Sequence, residues 1–246
     1  TIVNDLNKVL RQKRMVDVWT DAPKMIKRLS PRKFRQEVVG RTILGVRRRA
    51  KNILLDLSGD RMMLMHLKMT GHILVGHWNI HGKKIVPLSP PGLLDKVNSY
   101  IHVLFPLNNG LMMGFCDMRK FGKIIVGERD KILGAELSGL GPEPFDKKFV
   151  FSDFVKILGK SKKNIKQILL DQKIISGIGN IYSDDILGGA GIHPKRKTAT
   201  LSPKEWKLLW DSMRRVLRKA IKRRGSSISD YRDLWGEVGR YGEVRR

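Results

Sequence analysis

The 246 residues suffice for one large domain or two of ordinary size, with 41% hydrophobic content for a core and no run near the roughly 20 apolar residues of a bilayer span. Lys and Arg number 49 against 23 Asp and Glu, a formal net charge of +26 that favours a polyanion, nucleic acid above all, over an acidic membrane surface. The opening TIVNDLNKVLRQKR lacks the apolar block of a secretory signal, which leaves the cytoplasm as the expected compartment.

Val3, Leu6 and Leu10 fall at helical spacing, so residues 1–13 read as a helix. From 41 to about 128 the texture is β. RTILGVRRRAKNILLDL and RMMLMHLKM form a strand pair across Ser58-Gly59-Asp60. YIHVLFPL and LMMGFCDM flank Asn108-Asn109-Gly110 as a second pair, and FGKIIVG adds a strand. Short strands at this spacing suggest a sandwich or barrel. The Gly/Pro stretch LSGLGPEPFDKK reads as a linker, residues 137–148, after a first domain of residues 1–136. Helical patterns follow in FSDFVKIL, SKKNIKQILLDQ and NIYSDDILGGAG, and the clearest covers 203–223. Ser202-Pro203-Lys204-Glu205 is a capping box with proline at the first helical position, and Gly225 ends the helix. Trp206, Leu209, Trp210, Met213, Val216, Leu217, Ala220 and Ile221 form its core stripe. Residues 149–224 are thus a helical domain and 225–246 a loop and tail.

Cys116 stands alone and the six histidines show neither H-x-x-x-H nor H-E-x-x-H spacing, so no metal or cofactor site is expected within the chain. SGIGNIY carries more. Gly177 and Gly179 lie between two helical patterns, where a helix amino terminus suits a phosphate and Asn180 can donate its amide. A tight helix–helix turn accounts for the same letters. Lys162, Lys163 and Lys166, on the preceding helix, read as a solvated face or as anion contacts. Lys51 and His66 read equally as a strand-end lysine and a satisfied barrel histidine, and Met69 and Phe121 as core.

SKKNIKQILLDQKIISGIGNIYSDDILGGAGIHP resembles the helix-two-turn-helix region of the bacterial formamidopyrimidine-DNA glycosylases. RRRAKNILLDL, LMHLKMTGHI, CDMRKFGKIIV, LGPEPF and SSISDYRDLWGEVGRYGE agree in order, so the resemblance covers nearly the whole chain. It implies an α+β fold: an N-terminal β-sandwich flanked by helices, hinged to a C-terminal helical domain, with duplex DNA in the cleft. It implies a base-excision-repair enzyme, a DNA glycosylase and AP lyase. Such an enzyme flips out oxidised purines (8-oxoguanine, formamidopyrimidines), removes them by Schiff-base chemistry and nicks the abasic site. The implied partner is double-stranded DNA containing oxidised bases or abasic sites, bound by a monomer near the bacterial nucleoid.

Residue by residue, Met69 matches the family's wedge methionine, and Arg119 and Phe121 match the residues that occupy the opposite strand. Lys51 matches the lysine that holds phosphates beside the lesion and assists strand cleavage, and His66 and Asn180 match phosphate contacts. Tyr100 stands where a phosphate-contacting histidine is common, and Asp185 where glutamate is. The loop with Ser226, Ser227 and Tyr231 faces the flipped base, and Gly225, Gly236, Gly239 and Gly242 suggest that it is mobile.

Two departures stand out. The family's PELPEVE-like opening, with a proline nucleophile and a glutamate acid/base, would end just before Thr1. Its four-cysteine finger, which holds one structural zinc in the intact family member, would start near Gly242. The 246 residues taken literally are therefore expected to be inactive, and they support an alternative, a non-catalytic damaged-DNA-binding module. A basic RNA-binding protein is a third reading, without an RNA-specific aromatic sheet motif to support it.

Overall fold

Helix α1 (Ile2–Leu10) completely buries Leu6 and Leu10, with Val3 partly covered beside them, as the spacing predicts. The computed structural model describes residues 1–82, 84–227 and 231–244. Strand β1 (Trp19–Thr20) follows, then α2 (Pro31–Val38), which Ser30 caps by accepting the Lys33 N–H at 3.4 Å. Only Phe34 and Val38 of α2 are buried, too narrow a stripe to announce a helix in the sequence.

Eight further strands complete two antiparallel sheets. They are β2 (Ile43–Arg49), β3 (Asn52–Leu57), β4 (Arg61–His66), β5 (His72–His81), β6 (Lys84–Ser89), β7 (Ile101–Pro106), β8 (Met112–Cys116) and β9 (Lys123–Glu128). The orders are β2-β3-β4-β9 and β1-β7-β8-β5-β6. Alternate residues of both sheets enter one core: Ile53, Leu55 and Leu57 with Met63 and Met65 from one, Ile73 and Val75 with Val103, Phe105, Met113 and Phe115 from the other. This is the sandwich the β texture suggested, and period-two alternation assembles it. The Ser58–Asp60 turn has Gly59 and Asp60 both left-handed, at φ +72° and +54°, and closes a three-residue hairpin in which Leu57 pairs with Arg61.

RTILGVRRRAKNILLDL, expected as one strand, is two. β2 and β3 pair with Arg49 opposite Asn52, leaving Ala50 and Lys51 as the turn, and Ala50 takes φ +54° without glycine or asparagine. The β5–β6 hairpin was likewise not visible in the sequence. After β9 come α3 (Arg129–Ile132) and a π-helical turn (Leu133–Leu137).

Contacts divide the chain into a unit of Thr1–Glu136 with Arg224–Val244 and a second unit of Leu137–Arg223. The terminal segment, expected to stand apart, therefore belongs with the sandwich. Leu234 is fully buried in its core and accepts the Val75 N–H at 2.8 Å, while Arg232 pairs with Asp95 at 2.9 Å.

The second unit holds α4 (Phe151–Gly159), α5 (Ile165–Leu170), α6 (Asn180–Ala190) and α7 (Pro203–Lys222). The Ser202–Glu205 capping box is formed, and α7 ends at Lys222 with Arg223 as its cap, ahead of left-handed Arg224 and Gly225 at φ +60° and +93°. Trp206 and Trp210 of α7 meet Phe154 of α4 with ring centroids 5.9 and 5.2 Å apart. LGPEPF is a packed collar and not a linker. A side chain at Gly141 would collide with the Ile174 backbone, Pro142 accepts the Ser176 N–H at 2.9 Å, and Arg214 spans the Pro144 carbonyl and the Phe145 ring. No helix among the described residues is long and apolar enough to cross a membrane.

Candidate nucleic-acid interface

Sheet topology brings the candidate residues of the first unit together. β4 and β9 are neighbours in one sheet, β5 and β8 in the other. Residues 67–71 carry the chain from β4 to β5, and residues 117–122 return it from β8 to β9, so the two crossings run side by side at one end of the sandwich. Met69 lies on the first crossing, Arg119 and Phe121 on the second. Met69 is 76% exposed, Phe121 62% and Met118 48%, which rules out core packing for the first two. The Arg119 guanidinium lies over the Phe121 ring at 5.2 Å, a cation–π contact that presents charge and aromatic surface together. Each crossing also contains one left-handed lysine, Lys68 at φ +59° and Lys120 at φ +57°.

The rim is basic. Lys51 projects from the Ala50–Lys51 turn beside Asn52, whose strand partner is His66, whose other partner is Lys123. Lys51 is an exposed residue, yet partial burial of its ammonium pushes its pKa below the ordinary lysine value. His66 is held at about 4, first by burial and then by the charges of Lys68, Lys123 and Lys51. Its Nδ1 accepts the Lys68 backbone N–H at 3.0 Å, so the ring proton resides on Nε2. His66 is therefore a neutral N–H donor among cations. Lys123 pairs with Glu136 at 2.7 Å. Tyr100, ahead of β7, lines a cavity with Thr70 and Met118, and its carbonyl accepts the Asp117 N–H at 2.9 Å.

The terminal segment of this unit closes through an antiparallel bridge between Ser226 and Arg240. Ser227 Oγ donates to the Tyr231 carbonyl at 2.5 Å and accepts the Gly239 N–H at 2.7 Å. Ser226 is buried, and residues 228–230 of the predicted loop lie outside the described residues. Of the four glycines taken as a sign of mobility, Gly225, Gly236 and Gly239 serve close packing, while Gly242 has open space around it. A Cβ at Gly239 would meet the Gly225 carbonyl at 2.5 Å, and one at Gly236 the Gly92 carbonyl at 2.5 Å.

In the second unit, α5 ends at Leu170, a turn at residues 172–174 follows, and Asn180 opens α6 as an exposed residue behind Gly179. No side chain caps α6, whose first turn carries the positive end of the helix dipole. Gly177 has a different task from the one its spacing suggested. It is left-handed at φ +98°, and its N–H donates to Gln172 Oε1 at 2.9 Å. Gln172 also donates to the Ile178 carbonyl at 3.0 Å, a tie that the sequence reading missed for want of any periodic signal. Only Lys166 of the three lysines is on a helix; Lys162 and Lys163 precede Asn164, the cap of α5. Lys166 pairs with Asp184 at 2.5 Å and Lys163 with Asp171 at 3.5 Å, whereas exposed Lys162 makes no ion pair among the described residues. Burial and then Asp185 raise the pKa of Tyr182.

No three His, Cys, Asp or Glu side chains gather as metal ligands among the described residues, and Cys116 is buried with its thiol toward the Val97 carbonyl at 3.3 Å. The residues described do not fit the family's zinc.

Residues 1–124 match the formamidopyrimidine-DNA glycosylase N-terminal domain model and residues 140–232 the H2TH domain model of the same name. The chain is 36% identical over 240 residues to a formamidopyrimidine-DNA glycosylase of Moorella thermoacetica, covering 97% of this chain and 82% of that one. It is 38% identical over 241 residues to that of Carboxydothermus hydrogenoformans, covering 98% and 82%. Among solved structures, the Lactococcus lactis Fpg in complex with abasic-site DNA superimposes with a TM-score of 0.85 at 29% identity, over 99% of this chain and 84% of that one. The same protein with Fapy-dG containing DNA gives 0.83 at 29%, over 99% and 84%.

Proposed function

Since the chain belongs to the formamidopyrimidine-DNA glycosylase family, we propose that it finds and excises oxidised purines, 8-oxoguanine and formamidopyrimidines, in duplex DNA. The exposure of Met69, Arg119 and Phe121 on two adjacent crossings, within a basic rim, carries this reading.

A base held in a duplex must leave the stack before its sugar can be attacked, at a cost of about a few kcal/mol. The flexible Met69 side chain fills the vacated space, and the Phe121 ring supplies stacking worth about 1–3 kcal/mol per base. The Arg119 guanidinium donates to the base left without a partner. Lys51 and the neutral His66 N–H take the phosphates beside the lesion, and Asn180 with the α6 amino terminus takes another. The lowered pKa of Lys51 brings it nearer to exchanging a proton during strand cleavage. Ser226, Ser227 and Tyr231 carry the loop that reads the flipped base. The covalent step is attack of an amine on C1′ as the base departs with a proton, after which the C1′–O4′ bond breaks, O4′ takes a proton and a Schiff base remains. The resemblance assigns it to a proline and a glutamate ahead of Thr1, and to none of the 246 residues.

The test is a duplex with one 8-oxoguanine opposite cytosine. Release of the base, a nick, and a covalent adduct trapped by borohydride are expected where that proline and glutamate stand ahead of Thr1. Preferential binding of the damaged duplex without release or adduct would assign the binding-only function, and equal binding of damaged and intact duplex would overturn both.

A further inference from the structure

The wedge side chains stand in solvent, so something beneath them must fix their spacing. Asp117 is fully buried at the start of the second crossing. Its Oδ1 accepts from the Thr70 hydroxyl, on the first crossing next to Met69, and from the Arg119 N–H at 3.3 Å. Its Oδ2 accepts the Gly122 N–H at 2.7 Å, on the far side of Phe121. One carboxylate thus ties both flanks of the Arg119–Phe121 segment to the residue beside Met69. Among the described residues it has no cationic partner, so hydrogen bonds from the two crossings hold its charge.

Phe115 forms the floor below. A Cβ at Gly71 would come within 2.9 Å of its ring, and one at Gly122 within 2.5 Å, so both crossings lie directly on that ring where no side chain fits. From Thr70 a second path leads inward. The Thr70 carbonyl lies 3.4 Å from His72 Nδ1, His72 Nε2 lies 2.8 Å from Asn98 Oδ1, and Asn98 donates to the carbonyls of Gly92 and Gly236 at 2.8 and 3.3 Å. His72 and Asn98 are both buried. The shorter His72–Asn98 contact thus joins the strand that follows Thr70 to the stem of the terminal loop.

We propose that Asp117, through Thr70, is a positioning residue that holds Met69 and the Arg119–Phe121 pair in one register, so that the two crossings enter a DNA stack as a single wedge. This rests on reading those three side chains as the wedge. Apolar packing alone would hold each turn, but it would not fix one against the other. A buried carboxylate does so because every donor it loses leaves charge unsatisfied.

Thr70→Val removes the hydroxyl at nearly constant shape, and Thr70→Ser keeps it. Hydrogen exchange read on residues 67–71 and 117–122 of the full chain should quicken in both crossings in Thr70→Val and Asp117→Asn, and stay at the wild-type level in Thr70→Ser. The preference for a duplex containing a tetrahydrofuran abasic site over an intact duplex should fall about tenfold in Thr70→Val, the loss of one hydrogen bond to a charged acceptor, with intact-duplex affinity unchanged. A 2-aminopurine opposite the site should report the same loss, and Thr70→Ser should restore it. Loosening confined to the mutated crossing, or an unchanged preference in Thr70→Val, would overturn the proposal. A wild-type chain without preference but with coupled exchange would sink the damage-recognition reading and leave the brace standing.

Discussion

Phe121→Ala separates the wedge from the fold more cleanly than any other substitution. The ring is 62% exposed, with the Arg119 guanidinium over its face, so its removal should cost about 0.5–1 kcal/mol of stability. Its contribution against an open stack is larger, about 1–3 kcal/mol, or roughly 5- to 150-fold in affinity. Fluorescence anisotropy at one fixed salt concentration, with a tetrahydrofuran duplex and its intact counterpart, should show the loss on the first alone. Phosphate contacts dominate the second and are untouched. Phe115→Ala provides the contrast, because the fully buried floor should cost about 3–5 kcal/mol in urea unfolding. If Phe121→Ala weakened both duplexes equally, or destabilised the fold as much as Phe115→Ala, the ring would be a packing residue and the reasoning would fail.

Three further outcomes follow from the site. His66 has its folded pKa depressed to about 4 from 6.5, so between these values the unfolded chain binds more protons, and stability present above pH 6.5 is lost as pH falls through 4; His66→Gln should flatten that slope in urea unfolding at a series of pH values. Lys162→Ala should reduce the salt dependence of duplex binding by about one phosphate contact, whereas Lys166→Ala, which removes a charge already paired with Asp184, should change it far less in a salt titration. Asn180→Ala should weaken duplex binding about fivefold with little change in salt slope, since a neutral donor is lost; an altered slope in the same titration would point instead to displacement of the helix terminus.

Much of the fold was legible because local chemistry and final structure agree. Gly59 and Asp60 reverse the chain where the sequence places a turn, and Ser202 caps α7 through Glu205 as its spacing predicts. The failures are tertiary in origin. Ala50 turns left-handed because strand pairing on both sides demands it, against its own preference. Ser30-Pro31 carries the same signal as Ser202-Pro203, but α2 has two buried residues and shows no stripe. At the candidate site, the resemblance supplies assignments for individual residues, while their surroundings are not legible in the sequence. Spacing cannot show that Lys163 and Lys166 meet Asp171 and Asp184, that Gln172 occupies the Gly177 N–H, or that Asp117 reaches Thr70, 47 positions away. Each is a contact between segments distant in sequence or turned by an irregular loop.

The sandwich is polarised along its strands. The Ala50–Lys51 turn and both sheet crossings sit at the end where β4 finishes, and the Ser58–Asp60 and Asn108–Gly110 hairpins close the other. Asn109 and Gly110 are exposed, and space around Gly110 is open. A fluorophore, an affinity tag or a whole inserted domain attached there would travel a strand length away from the cations and the wedge, at a hairpin tip of the kind that tolerates insertion. The hairpin tip is therefore a natural attachment point from which the proposed DNA contacts can be followed without altering the proposed wedge.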